Sequence, residues 1–493
     1  MKGFKKKFYT FRGLFFTFLL SGILSQITLK AQLPDDSPAA REVAIARLRN
    51  TSPCVVCDDG SKMSSPYGTS CNSRAFRALP ILAAPQKQWE INPGWWGVWP
   101  PFIVGNLILT GSCNNDGNAG LSAIDKNTGK TVWRIDNICN TGNRKGSMGY
   151  VNFFELASGE VLLIYPREDG LPTDHYVIDV KSGRIVRTLT PAKRGTIRGR
   201  GGVFTVLNQN TSEGNSYISA LSTDMSNILW QNKDFRLAMP DKLNPFYTPT
   251  FSAPAISGGI LFQTARSKEQ KDPPTRQLHA IDLKTGKTLW RHIDQPDMAR
   301  RGNTVYRSDD GIPIVADGKV IIRIRAENNG LQYTSALRAL DINTGRILWT
   351  TKTSASNPVT EIFNRVVACN ILVTEIKNGK EHSLVGFNLA DGSVEWSRHI
   401  DQKAQLMASS GGVFYVGERI LNNDNTWKEN KFQGFDGKTG TLLWTTNIPE
   451  YYLGLGTNNQ WDIENPNAIT PSWTIDSDGA IYGVTLKGVF KLK

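Results

Sequence analysis

Beyond its first 30 residues the 493-residue sequence has no apolar run long enough to cross a bilayer, which takes about 20 residues. The body of the chain has no basic run of the kind that tracks nucleic acid. It has no G-x-S-x-G elbow, no phosphate-cradling P-loop and no H-E-x-x-H pair, so three common catalytic frameworks are excluded by pattern. Histidine is scarce: His175, His279, His292, His382 and His399 are scattered singly. They read as surface or strand residues, not as metal ligands. Charge is moderate. The formal net charge of +13 falls to +7 (51 basic against 44 acidic residues) once the first 32 residues are set aside. That surplus fits a solvated surface.

Those 32 residues hold six basic and no acidic side chains. A positive stretch, "MKGFKKKFYTFRG", precedes a short apolar core, Leu14 to Leu29, and Ala31 stands at a plausible cleavage point. Residues 1–32 therefore read as a cleaved export signal. No cysteine lies in or just after it, so a lipoprotein anchor is not expected. The mature chain is expected in the periplasm or outside the cell, without a transmembrane span.

There are six cysteines, and in an exported chain disulfides are the default expectation. Cys113 and Cys139 flank one hairpin and form a candidate pair, which would contribute about 3 kcal/mol for a loop of that size. "CVVC" (Cys54 to Cys57) is followed by Asp58, which excludes the haem-attachment pattern. Only Cys71 is close enough to join it at a metal and no histidine is near, so structural disulfides are the better reading. Residues 33–85 thus read as a cysteine-containing extension. "DSPAAREVAIARLRN" within it suggests a short helix, capped by Ser37 with Pro38 in first position.

What the sequence has in quantity is one hairpin. "LSAIDKNTGKTVW" ends at Trp133, "LHAIDLKTGKTLW" at Trp290 and "LRALDINTGRILW" at Trp349. "VGFNLADGSVEW" (to Trp396) and "GFDGKTGTLLW" (to Trp444) are looser copies. Two more are degraded: "YVIDVKSGRIV" has Val186 in place of tryptophan, and "ALSTDMSNILW" keeps Trp230 but loses the aspartate and glycine. The terminal positions are 53, 44, 60, 59, 47 and 48 residues apart, each enough for four strands of five or six residues with turns. Upstream pairs such as "PPFIVGNLILTGS" and "IPIVADGKVIIRI" supply further β segments. Alternating apolar residues with frequent turns argue for an all-β chain, and a four-stranded sheet repeated radially is a propeller blade.

The two ends complement each other. "GVFKLK" at the C-terminus resembles the strand before the aspartate turn, and a lone tryptophan strand surrounds Trp89, 44 residues before Trp133. An N-terminal strand completing the last sheet would remove open edges. The fold expectation is an eight-bladed β-propeller over residues 86–493, of four-stranded antiparallel blades. Within each hairpin the glycine supplies positive φ to a short turn, and the tryptophan staples neighbouring blades rather than forming a ligand platform.

The hairpins resemble the pyrroloquinoline-quinone-type propeller repeat, whose consensus is close to A-x-D-x-x-T-G-x-x-x-W. The resemblance covers about Lys87 to Lys493. It implies the propeller fold and leaves two functional readings open. Quinoprotein alcohol dehydrogenases carry the repeat, with the quinone and calcium at the propeller axis. So does the cofactor-free propeller lipoprotein of the bacterial outer-membrane barrel-assembly machinery. This sequence lacks the adjacent cysteine pair of many quinoprotein dehydrogenases and the lipoprotein cysteine of the assembly factor.

Function is expected in the connections between hairpins. "INPGWWGVWPP" brings Trp95, Trp96 and Trp99, and "PAKRGTIRGRGG" brings Arg194, Arg198 and Arg200. "RLAMPDKLNPFYTPT" brings Phe246 and Tyr247, and "DQPDMARRGNTVYR" brings Arg300 and Arg301. "PEYYLGLGTNNQWDIENPN" brings Tyr451, Tyr452, Trp461, Asp462, Glu464 and Asn465. The first reading takes the aromatic and arginine residues as a binding surface for a protein or glycan of the cell envelope, on a monomeric scaffold with no cofactor. The alternative is a dehydrogenase oxidising an alcohol or sugar. Trp96 or Trp461 would then stack on the quinone, and Arg198 or Arg200 would pair its carboxylates. Asp462, Glu464 and Asn465 would ligate calcium, with Asp462 as the candidate base. "DSDG" (Asp476 to Gly479) has Lys487 where a calcium loop needs glutamate, and reads as a hairpin turn.

Overall fold

The computed structural model describes residues 32–50, 71, 75–92, 101–112, 120–136, 152–156, 159–164, 175–190, 196–200, 203–210, 215–233, 254–266, 275–296, 300–301, 304–305, 312–328, 332–351, 360–378, 381–401, 404–421, 427–448, 473–485 and 488–493. It is an all-β architecture of separate antiparallel sheets. Sheet 1 contains Phe102–Val104, Leu107–Ser112, Gly120–Asp125 and Thr131–Asp136, in that order. Sheet 2 contains Asn152–Glu155, Val161–Ile164, His175–Ile178 and Ile185–Leu189. Sheet 3 runs Thr196–Arg200, Val203–Asn210, Asn215–Leu221 and Ile228–Asn232; sheet 4 runs Ala255–Ser257, Ile260–Arg266, Thr275–Asp282 and Thr288–Pro296. Sheet 5 runs Ile314–Ala316, Lys319–Asn328, Gln332–Asp341 and Ile347–Thr350; sheet 6 runs Thr360–Ala368, Ile371–Asn378, Glu381–Asn388 and Val394–His399. Sheet 7 holds Ala404–Ser410, Val413–Leu421, Trp427–Asp436 and Leu442–Ile448, plus a short parallel strand, Ala75–Phe76, beside its first. Sheet 8 holds Trp473–Ile475, Ile481–Thr485 and Gly488–Leu492, and its fourth strand is Lys87–Ile91, from the other end of the chain.

Strands one and two of each sheet, and strands three and four of sheets 1 to 7, are consecutive antiparallel neighbours that meet at one end of the sheet. The chain leaves strand two for strand three, and strand four for the next sheet, at the opposite end of the strands. First strands of neighbouring sheets lie beside one another in sheets 2 and 3, 4 and 5, and 6 and 7. Fourth strands are outermost and leave Val132, Ile185, Leu229, Leu289 and Leu348 exposed.

Each part of the repeated hairpin has a separate physical task. The Asp282 carboxylate accepts from the backbone N–H of Thr285 at 2.6 Å and from its hydroxyl at 2.7 Å, a side-chain-closed turn. Asp341 with Thr344 and Asp125 with Thr128 repeat it. The glycine four residues after the aspartate is left-handed, as at Gly286 with φ 73° and Gly345 with φ 70°. The alanine two residues before the aspartate lies opposite the tryptophan: Ala280 faces Trp290 and Ala339 faces Trp349. In the looser copies this place is Gly386 opposite Trp396 and Gly434 opposite Trp444, and a Cβ there would meet the indole. A small residue is needed because the ring lies across the pleat.

The suggested helix is present as Pro38–Arg49, with Pro38 at its start and the Ser37 hydroxyl accepting from Ala40 N–H at 3.2 Å. It packs at the outer side of sheet 7. Its Arg41 donates to the Leu442 carbonyl, and Arg47 pairs with the buried Asp436. Just before it, Gln32 bridges in parallel to Trp396, and Asp36 is bound by Arg398. All five histidines lie on strands, and His175, His279 and His382 are buried. "DSDG" is the turn between the first two strands of sheet 8, with Gly479 N–H on the Asp476 carbonyl. No described cysteine carries a free thiol, and Cys113 and Cys139 lie outside the described residues. No described helix is long and apolar enough to cross a membrane.

Candidate functional site

The tryptophans are committed to the joints between sheets. Trp133 donates its indole N–H to the Val180 carbonyl at 2.7 Å, Trp230 to Leu283 at 2.9 Å and Trp290 to Ile342 at 3.1 Å. Trp349 donates to Leu389 at 3.0 Å and Trp396 to Gly437 at 2.9 Å. In every case the acceptor is the residue after the aspartate position of the following sheet. The same rings cover that hairpin's glycine. A Cβ at Gly183 would lie 2.5 Å from the Trp133 ring, and one at Gly345 or Gly392 would lie 2.6 Å from Trp290 or Trp349. The glycine thus serves two needs, left-handed backbone and contact with the preceding tryptophan.

The degraded copies are adjacent. Sheet 2 ends in Val186, so no indole reaches the hairpin of sheet 3. There the glycine has gone as well, and Met225 is fully buried at φ 59° in a tighter turn closed by its N–H on the Ser222 carbonyl. Val186 packs against the cluster that contains Met225. A methionine side chain fills the volume an indole fills elsewhere. Both deviations are visible in the sequence, and the contact that couples them is a tertiary one.

The joint between sheets 8 and 1 also departs from the pattern. Trp89 covers Gly129, yet its indole N–H has no hydrogen-bond partner among the described residues. The expected acceptor, the Lys126 carbonyl, takes the Lys491 ammonium at 3.1 Å and the Tyr482 hydroxyl at 3.3 Å. Lys126 also pairs with Asp476 at 2.7 Å. Burial pushes the Lys491 pKa down and the Tyr482 pKa up.

A buried polar knot joins sheets 6 and 7. The Glu375 carboxylate accepts from both Asn364 Nδ2, at 3.2 and 3.3 Å, and Leu406 N–H, with His382 Nε2 at 3.6 Å. Arg365 donates to the Ile312 carbonyl at 3.0 Å and Arg323 to that of Ile362. No pattern in the sequence marks these residues. They are buried and bonded to one another or to backbone carbonyls, which ties first strands to their neighbours.

The structure moves two of the expected site residues. Arg198 and Arg200 are not in a connection: they belong to the first strand of sheet 3, with Arg200 opposite Val203 at the tight-turn end. The strand begins earlier than the glycine-rich sequence suggests because sheet pairing overrides weak local propensity. Arg300 and Arg301 do lie in a connection, between sheets 4 and 5, as one arm of a two-stranded hairpin with Thr304–Val305. Trp95, Trp96, Trp99, Arg194, Phe246, Tyr247, Tyr451, Tyr452, Trp461, Asp462, Glu464 and Asn465 lie outside the described residues. Among the described residues no group of three His, Cys, Asp or Glu side chains is placed to hold a metal ion.

Comparison with known proteins finds partial matches. A family model described as "Outer membrane protein assembly factor BamB" matches residues 214–410. The chain is 23% identical over 215 residues to a polyvinylalcohol dehydrogenase of Sphingopyxis sp. (strain 113P3), covering 41% of this chain and 28% of that protein. A polyvinylalcohol dehydrogenase of Pseudomonas sp. is 24% identical over 191 residues, covering 36% and 26%. The chain thus matches only about a quarter of the length of these curated relatives. Among solved structures, BamB from Moraxella catarrhalis aligns at TM-score 0.47 and 14% identity, covering 83% of this chain and 99% of that one. Quinohemoprotein alcohol dehydrogenase ADHIIG from Pseudomonas putida HK5 aligns at 0.49 and 12%, covering 94% and 82%. The matched stretch, and the like hairpins on either side of it, make the chain similar to the pyrroloquinoline-quinone-type propeller-repeat family.

Proposed function

We propose that the eight sheets are the blades of one closed propeller, residues 86–493, preceded by an extension, residues 33–85, and by a cleaved export signal, residues 1–32. On this reading the protein is a monomeric binding or scaffold module of the periplasm or exterior, engaging a protein or glycan partner of the cell envelope. The ring is supported by the one-directional series of ring-on-turn contacts, which ends with Trp89 on Gly129, and by the pairing of Lys87–Ile91 with Gly488–Leu492. A Cys113–Cys139 disulfide at sheet 1 belongs to the same proposal.

The observation that carries the binding reading is the use of the repeat tryptophans in the joints. Recognition then falls to the connections, where Trp95, Trp96, Trp99, Arg300, Arg301, Tyr451, Tyr452 and Trp461 supply the residue types of interface hot spots. Arg198 and Arg200 would contribute from the first strand of sheet 3. The match to an assembly-factor model supports a protein partner. Capture from envelope extracts tests it: one partner should be retained by the native chain and lost on Arg300→Ala/Arg301→Ala with Trp96→Ala. Equal capture by the variant sinks the reading.

A second reading is favoured by the curated relatives, both named polyvinylalcohol dehydrogenases. Here the chain oxidises an alcohol or sugar with pyrroloquinoline quinone and calcium. Among the described residues no group of three His, Cys, Asp or Glu side chains is placed to hold the metal. Dye reduction over a panel of alcohols, with quinone and calcium supplied, decides it. Turnover lost on Asp462→Asn would replace the binding reading.

A further inference from the structure

Residues Cys71 and Ala75–Ala84 follow an unusual course. The Cys71 carbonyl accepts from Val315 N–H, on the first strand of sheet 5, at 3.0 Å, and its sulfur is 3.5 Å from the Ile256 carbonyl, on the first strand of sheet 4. Ala75 and Phe76 pair with Ser409 and Ser410, on the free side of the first strand of sheet 7. Leu79 N–H donates to the Ser477 carbonyl of sheet 8 at 3.1 Å, and its own carbonyl accepts from the Ser410 hydroxyl at 3.1 Å. Pro80 lies on Gly411, where a Cβ would meet its ring at 2.5 Å. Ile81 N–H donates to the Tyr415 hydroxyl at 3.2 Å, and the Ile81 carbonyl takes the indole N–H of Trp444 at 2.7 Å.

The segment therefore touches the first strands or first turns of sheets 4, 5, 7 and 8, always at the tight-turn end. It is held by backbone hydrogen bonds, with Phe76, Ala78 and Ile81 buried. A first strand left without this pairing is an open edge. The last two contacts are also informative. Sheet 8 has no aspartate turn, because its third and fourth strands are the two ends of the chain. The Ile81 carbonyl stands in for the acceptor that such a turn gives Trp133, Trp230, Trp290, Trp349 and Trp396.

We propose that this segment is a built-in strap that closes the tight-turn mouth of the propeller axis, so that any ligand or partner segment reaches the axis only from the face of the long connections. This rests on the ring reading, in which first strands line the axis. The strap makes recognition one-sided.

Hydrogen exchange and hydroxyl-radical footprinting of the full-length protein test it. Peptides covering 75–84 are expected to exchange as slowly as the sheet strands, and Met407, buried beside Phe76 and Ala78, to resist oxidation. Phe76→Asp should raise exchange across 75–84 and sulfoxide formation at Met407 at least tenfold, leaving buried Met225 unchanged as a monitor of the fold. Tyr415→Phe, which keeps the ring and removes the acceptor of Ile81 N–H, gives a milder release if Phe76→Asp does not fold. If 75–84 exchanges as fast as exposed residues 33–36 in the native protein while 87–91 and 488–492 stay protected, the strap fails and the ring stands. Fast exchange in all three segments overturns the ring as well.

Discussion

The Trp230 indole donates to the Leu283 carbonyl at 2.9 Å, and its ring covers Gly286 in the next sheet. Tryptophan and glycine of one hairpin therefore act on different neighbours, and the repeat consensus is a record of contacts between successive sheets. Gly286→Ala should cost about 3 kcal/mol, from a left-handed alanine and a Cβ pressed into the ring. Gly318 has φ 67° with nothing within 4 Å of its would-be Cβ, so Gly318→Ala should cost only about 1 kcal/mol. Denaturant midpoints of the two variants check the difference.

Restoring the consensus at the degraded joint should harm the protein. Val186→Trp would drive an indole into the cluster already filled by Met225, Leu162 and Val177, costing about 1–3 kcal/mol. An increase in the thermal midpoint would show that the joint has room to spare.

Ring burial and the indole hydrogen bond are separable at Trp349, which is buried and bonded to Leu389. Trp349→Phe should cost about 1–2 kcal/mol, mostly from the carbonyl left without its donor. Trp349→Ala should cost about 3–5 kcal/mol. Equal losses would mean that the ring contributes little.

Acid should weaken the turns together. The Thr285 and Thr344 hydroxyls hold the carboxyls of Asp282 and Asp341 below the ordinary range, as Ser393 does for Asp391. The Ser222 hydroxyl holds Asp224 at about 2. Each group is depressed in the folded state, so its contribution is present above the unfolded value of about 3.9 and is lost as pH falls through the folded one. Midpoints measured from pH 5 to pH 2 should drop between about pH 4 and pH 2, and less steeply in Asp282→Asn/Asp341→Asn. A parallel profile would remove these turns as the cause.

Much of the fold was legible because the repeat is local. The aspartate, threonine and glycine close their turn within five residues, so "AIDLKTGKTLW" announces the same hairpin wherever it stands. Trp89 and "GVFKLK" were recognisable as partners because each is half of that unit. The strand position of Arg198 and Arg200 was not legible, since glycine-rich sequence has little strand preference and only the pairing with Val203 and Thr205 places it. Nor was the Glu375 knot, which gathers residues from three strands of sheet 6 and one of sheet 7 with no spacing rule.

By itself the sequence determined the hairpin, its turn chemistry and its repetition, because these depend on side chains a few residues apart. Tertiary structure alone decided what each repeat tryptophan covers, how Met225 comes to pack beside Val186, how Lys491 displaces an indole from the Lys126 carbonyl, and where Cys71 and residues 75–84 lie. Those outcomes depend on volume and hydrogen-bond acceptors supplied by another sheet, and contacts between sheets leave no periodic trace along the chain.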